Sequence, residues 1–221
     1  MATPHIPKSG SRSINTVSAD KVDLRFLIEH LNLKYVQDLD FFLEWQSDLR
    51  DLPIVTPAQK SDLDVVKQGY LNLLDYPPLL ESAVQVAVLG PMMFLGRFFL
   101  PPFHVRGEKS IKIENEDHGV KVTGKLDILI LRDNFWVMAI ESKRSEFSLE
   151  AGRAQILSYM LADPDADRPS YGLVTSGGSF TFLKLTRGEI NHYSLSRIFE
   201  AINPGNELYD VFAILKKIAA L

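Results

Sequence analysis

Three side chains near the middle of the sequence have the types and spacing to hold a divalent cation with an ammonium beside it. The stretch Gly124-Lys125-Leu126-Asp127-Ile128-Leu129-Ile130-Leu131 is apolar at both parities, the pattern of a strand covered on both faces. A carboxylate in such a strand is costly unless it is paired, hydrogen-bonded or bound to metal. A second apolar run, Phe135 to Ile140, leads directly into Glu141-Ser142-Lys143. Glu141 and Lys143 are two apart and share a strand face. Asp127 with Glu141 offers oxygen ligands to a hard cation, and Lys143 adds an ammonium beside them.

Register decides whether the two acids meet, because a one-residue slip moves a side chain to the other face. Asp127 opposes Glu141 if Arg132 opposes Trp136, which requires a three-residue loop, Asp133-Asn134-Phe135. That loop is the expectation. A two-residue turn pairing Arg132 with Phe135, with no bulge, would put Asp127 on the opposite face. Taken alone, Asp127 could be a buried residue bonded to Lys125 or to a backbone amide, and Glu141 and Lys143 an exposed strand end.

A predicted helix over 148–162 adds Gln155 and Tyr159 on one stripe with the small residues Ser148, Ala151 and Gly152. Leu149, Ile156, Leu157, Met160 and Leu161 cover the opposite arc. The plainest reading of the pair is a tyrosine at a core edge and a solvated glutamine.

Several elements must position this constellation. Apolar residues at helical spacing predict a helix over about 22–51 and a second one capped by Ser61-Asp62. A third runs from about Leu79 to Phe99 with a break near Gly90-Pro91. Strands come next around Ile111 and Ile113, over 120–131 and 135–140, and over 171–175 and 180–185 about Ser176-Gly177-Gly178-Ser179, with another short one at 190–193. Two helices, over 195–202 and 207–220, close the chain. The fold class is α/β: a mixed central sheet flanked by helices, with an N-terminal helical layer. Residues 1–20 read as a disordered tail, 21–78 as an N-terminal helical region and 79–221 as the domain carrying the chemistry.

Composition narrows the functions. The 221 residues include no cysteine, which excludes disulfides, zinc ribbons and thiol catalysis and fits a cytoplasmic protein. The five histidines are scattered, with no helical metal-site pair. The net charge of −4 argues against a bulk polyanion binder. Residues 118–160 carry six basic and five acidic groups, so that segment is less acidic than the whole. The apolar run from Ala83 to Leu100 contains Gln85, Pro91 and Arg97 and reads as a buried helix; no membrane association is expected.

Gly124-Lys125-Leu126-Asp127, then Glu141-Ser142-Lys143, then Gln155-Ile156-Leu157-Ser158-Tyr159 resemble the PD-(D/E)xK nuclease superfamily, the restriction-endonuclease-like fold. The Gln-x-x-x-Tyr element is similar to the branch containing the nuclease domain of type I restriction motor subunits, and the hairpin from Tyr171 through Phe182 resembles the segment after that helix in the same branch. The resemblance spans about 79–186; Leu126 stands where many members have proline. It implies a metal-dependent DNA endonuclease, with Mg²⁺ as cofactor and Mn²⁺ as substitute. Asp127 and Glu141 would be metal ligands, the Ser142 carbonyl would complete the site, and Lys143 would orient or activate the attacking water. Gln155 and Tyr159 would contact nucleic acid or steady the site, and Lys125 and Arg144 would contact DNA. Many members add a glutamate from the helix before the sheet; Glu81 is the first candidate and Glu108 the second. The products would be a 3′-hydroxyl and a 5′-phosphate.

By analogy the partners are DNA, a second copy in a homodimer, and a motor or recognition subunit. One rival reading is a catalytically inactive nuclease-fold module that binds DNA or protein. The other is a partner-binding protein whose apolar residues Phe41, Phe42, Trp45 and 92–99 form a docking surface rather than burying against the sheet.

Overall fold

The chain folds as a mixed sheet with helices on both faces. The computed structural model describes residues 15–37, 41, 52–77, 79–115, 120–132, 135–143, 149–176 and 178–221. Among these, nine strands form one sheet: β1 (Asn15–Ser18), β2 (Leu33–Tyr35), β3 (Phe103–Asn115), β4 (Val120–Arg132), β5 (Phe135–Lys143), β6 (Ser170–Ser176), β7 (Ser179–Thr186), β8 (Asn191–Leu195) and β9 (Phe199–Glu200). The main order is β1-β4-β5-β6-β7-β8-β2, with β3 also on β4 and β9 also on β7. The pairs β1/β4, β5/β6 and β2/β8 are parallel; the others are antiparallel.

The helices are α1 (Leu24–Leu31), α2 (Pro57–Leu74), α3 (Glu81–Val84), α4 (Gly90–Leu95), α5 (Leu149–Leu161) and α6 (Leu208–Ala220). On one face, Leu63, Val88, Met92 and Phe212 from α2, the 81–95 segment and α6 pack against Ile130, Ile140 and Phe182. On the other, Leu27 of α1 and Ile156, Leu157 and Tyr159 of α5 pack against Leu129, Ala139 and Val174. The layer before residue 96 therefore divides between the two faces, and the same region also contributes two strands to the sheet.

Local chemistry sets several boundaries apart from those expected. The first helix has eight residues rather than thirty: Asp23 caps it by accepting from the Phe26 amide at 2.7 Å. It stops at Asn32, which sits in the left-handed region at φ 49°. Leu33 then pairs with Asn191 as the start of β2, and residues 38–40 and 42–51 of the expected helix lie outside the described residues. The second helix starts four residues before Ser61. The Thr56 hydroxyl accepts from the Gln59 amide at 3.3 Å, and the Gln59 side chain accepts from the Thr56 amide at 3.1 Å. With Pro57 in the first turn, this is a complete capping box.

The long third helix is broken by a π-helical stretch, Gln85–Leu89, between α3 and α4. Pro91 has no amide to donate back to Ala87, and the Gly90 amide donates to the Gln85 carbonyl five residues back. Where a helix was expected over 195–202, Phe199 and Glu200 instead pair with Phe180 and Ser179 as β9. Residues 15–20 are not tail. Asn15–Ser18 pair with Val120–Thr123, and Ala19, in a 3₁₀ turn over Ala19–Lys21, is buried. No helix among the described residues is long and apolar enough to cross a membrane.

Candidate active site

The register test has a two-part outcome. Arg132 pairs with Phe135 and Leu131 with Trp136, so two residues connect β4 to β5 and the expected three-residue loop is corrected. The ladder then shifts: Ile130 pairs with Met138, Leu129 with Ala139 and Ile128 with Ile140. Val137 is the extra residue of a β-bulge. Continued one step past its last pair, Ile128–Ile140, the shifted register would set Asp127 across from Glu141, but the ladder ends before that step. The bulge supplies the offset expected of the longer loop.

Beyond this point the sheet forks. On that side of β4, the β5 ladder runs from Arg132 to Ile128 and the β1 ladder covers Val120 to Thr123. Gly124 to Asp127 lie between them, where a strand's carbonyls need other partners. The Tyr159 hydroxyl meets that need by donating to the Lys125 carbonyl at 2.7 Å, while the Gln155 amide donates to the Tyr159 oxygen at 2.9 Å. Both side chains are buried, at 8% exposure for Gln155 and 1% for Tyr159. The solvated glutamine is thereby corrected. Of the two roles the resemblance implied, this burial suits steadying the strand rather than touching nucleic acid.

Gly124 makes the approach possible. A Cβ there would lie 2.6 Å from the Ala19 Cβ and 2.8 Å from the Tyr159 hydroxyl. Burial raises the Tyr159 pKa; the Gln155 hydrogen bond opposes the rise, and the fields of Glu141 and Asp127 add to it. Both carboxylates therefore act on this one hydroxyl.

The alternation of the sheet inverts here. Val122 and Leu126 belong to the core under α5, and so do Leu129 and Leu131, of the other parity. Across from Asp127, between the pairs Gly107–Ile128 and Lys109–Leu126, Glu108 adopts the left-handed φ of 48°, a strained conformation for a residue with a Cβ. Asp127 and Glu108 line an open cleft of about 380 Å³ with Leu80, Glu81, Ser82 and Gln85. Glu81, the first residue of α3, thus reaches the same cleft as Asp127, and Glu108 joins them. Glu141 stands outside that lining, 1% exposed, paired in the ladder with Val174 of β6.

Other expected residues fall elsewhere. Lys125 is exposed, with its ammonium 3.6 Å from the Glu108 carboxylate. Ser142 and Lys143 pair with Thr175 and Ser176, but their side chains lie outside the described residues, as does Arg144. Of the apolar candidates for a docking surface, Met92, Met93 and Phe98 are buried, Phe94 and Phe99 are exposed, and Phe42 and Trp45 lie outside the described residues.

Sequence reasoning missed Gln85, although its spacing of four from Glu81 puts both on one helical face. It also missed the structural demand on Gly124, which was visible only as a letter in the motif. Among the described residues, no three His, Asp or Glu side chains are grouped closely enough to hold a metal ion. Mg²⁺ is commonly held by only one or two carboxylates, with water and substrate phosphate completing its shell. Asp127 and Glu141, which both act on the Tyr159 hydroxyl, are a donor set of that kind.

No family model and no curated protein matches the sequence. Among solved structures, the crystal structure of SSO0001 is similar at 16% identity over 88% of this chain and 82% of that one, with a TM-score of 0.24. A likeness of that size carries no argument about fold or activity.

Proposed function

We propose that the protein is a metal-dependent DNA endonuclease that hydrolyses phosphodiester bonds in the manner of restriction enzymes. The supporting observation is the bulge at Val137, which gives the β4–β5 ladder the offset that, continued past its last pair, matches Asp127 to Glu141, with Asp127 in a cleft also lined by Glu81. In this reading Asp127 and Glu141, with the Ser142 carbonyl, would hold Mg²⁺ or Mn²⁺, and Glu81 would act on the ion from across the cleft. When bound, the ion would polarise a phosphoryl oxygen and lower the pKa of a water. Lys143 places positive charge where the phosphorane gains negative charge. Tyr159 and Gln155 keep the strand bearing Asp127 in place, and Lys125 and Arg144 contact the DNA backbone. The protein would act in the cytoplasm, with a second copy for the second strand and a motor or recognition subunit as partners.

Incubation of the purified chain with supercoiled and linear DNA, with and without Mn²⁺, tests the reading beside Glu141→Ala and Lys143→Ala. Metal-dependent cleavage that both variants lose supports it. Equal cleavage by Lys143→Ala removes the catalytic assignment. Binding without cleavage by the wild-type chain leaves a non-cleaving nuclease-fold module.

A further inference from the structure

Below the fork, the β3–β4 ribbon has one face turned into the protein and one turned out. Val122 and Leu126 are buried under α5, at 2% and 0% exposure. Their neighbours Lys121, Thr123 and Lys125 take the other face. Directly opposed residues share a face, so Lys112, opposite Thr123, and Ser110, opposite Lys125, lie there as well. On the far side Thr16 of β1, opposite Lys121, extends the same surface. Lys112, Lys125, Ser110 and Thr16 are exposed, and Lys121 and Thr123 are half-buried.

Three lysines interleaved with three hydroxyls thus form a flat polar surface that runs up to Asp127, on a chain whose net charge is −4. Glu108 tempers it, its carboxylate 3.6 Å from the Lys125 ammonium, and the backbone of Glu114 pairs with that of Lys121 in the ladder. Lysines with serine and threonine hydroxyls are the groups that contact phosphate oxygens without reading base sequence.

We propose that this outer face of the ribbon, through Lys112, Lys121 and Lys125, is the track along which a DNA backbone lies as it enters the cleft. The assignment rests on the nuclease reading for its choice of polyanion, and it adds Lys112 and Lys121 to the residues that reading names. Contacts of this kind release counterions, so they fix the salt dependence of binding rather than sequence preference.

The test is the binding of a labelled oligonucleotide, single-stranded and as duplex, to the full chain without divalent metal over a range of salt concentrations. The triple variant Lys112→Gln, Lys121→Gln, Lys125→Gln should bind at least about tenfold more weakly. Its slope of log affinity against log salt should fall by about 0.7 per lost contact on single strands and about 0.9 on duplex. The larger fractional loss identifies which form the track holds. Lys34→Gln with Lys60→Gln, on β2 and α2, should leave affinity and slope unchanged. The three single variants serve if the triple variant loses its cooperative melting.

An unchanged slope in the triple variant, an equal loss in the control pair, or no binding by the wild-type chain would overturn the proposal. Ribbon-dependent binding without cleavage overturns only the nuclease reading. Cleavage with an intact slope in the triple variant overturns only the track.

Discussion

The β4–β5 ribbon and the β6–β7 hairpin belong to one sheet, and two-residue connections join both pairs of strands. The hairpin then runs without interruption from Ser176–Ser179 to Ser170–Leu185, and β6 is buried at all seven positions. The ribbon changes register after two pairs and ends its ladder at Ile128–Ile140; beyond that its alternation inverts at Asp127, facing a left-handed Glu108. Packing alone favours the first pattern, since each irregularity forfeits ladder bonds or strains the backbone. The irregularities on the ribbon coincide with carboxylates. The comparison teaches that the fold keeps its regular pairing where it buries apolar surface and relaxes it where carboxylates stand on the strands.

Exchanging residues between the two regions gives the largest expected effects. Val174→Glu puts an unpaired acid into the regular core and should abolish cooperative unfolding. Glu141→Val, at the opposed position on β5, should keep or raise the melting temperature, because replacing a buried charge by a well-packed apolar group is often neutral or stabilising. The same variant should lose DNA cleavage by about a hundredfold or more. A Glu141→Val chain that melts lower and cuts normally would reverse the contrast.

Two glycines sharpen it. Gly124→Ala drives a methyl against Ala19 and the Tyr159 hydroxyl and should cost about 2–3 kcal/mol. Gly172→Ala, where the nearest atom is the Met160 sulfur at 2.7 Å, meets the end of a flexible side chain and should cost about 1 kcal/mol. Denaturant titration of both variants checks the order.

A smaller effect is expected from Tyr159→Phe. It leaves the Lys125 carbonyl without its donor and should cost about 1–2 kcal/mol in the same titration, with a fall in cleavage. The smallest effect concerns pH. The folded-state pKa of Tyr159 is raised, chiefly by burial, so its contribution is complete below the unfolded value near 10 and declines as pH rises past it. Wild-type stability above about pH 10 should therefore fall more steeply than that of Tyr159→Phe, by about 1.4 kcal/mol per pH unit. Parallel curves would show that this phenol ionises as readily folded as unfolded.

Much of the sheet was legible because its signals are local. The runs over 120–131 and 135–140 and the Gly177-Gly178 hairpin appear close to the predicted positions as β4, β5, β6 and β7. The illegible parts depend on distant partners. Asn15-Thr16-Val17-Ser18 becomes a strand because departure of β5 leaves an edge of β4 open. The apolar spacing over 195–202 looked helical, yet Ile198 and Ile202 are exposed. There Glu200 accepts from the Ser179 hydroxyl at 2.8 Å and Arg197 stacks 3.9 Å from the Phe199 ring centroid. At the candidate site, Asp127 stood out by residue type and position, and Glu81 through the family resemblance. The bulge did not, because hairpin connection length and ladder register become separate quantities once a strand carries an extra residue.

The π-helical stretch over Gln85–Leu89 has a consequence for how this chain tolerates change. Such a stretch is equivalent to one residue inserted into an α-helix. Excision of any one of those five residues would restore ordinary winding and leave Glu81 facing nearly as before relative to the buried Met92 and Met93, because the wide turns absorb the extra residue. Point substitutions along this segment can drift freely on its solvent side and the loss of one residue is absorbed by rewinding, whereas one further residue wound as α-helix would swing Glu81 by about 100° out of the cleft.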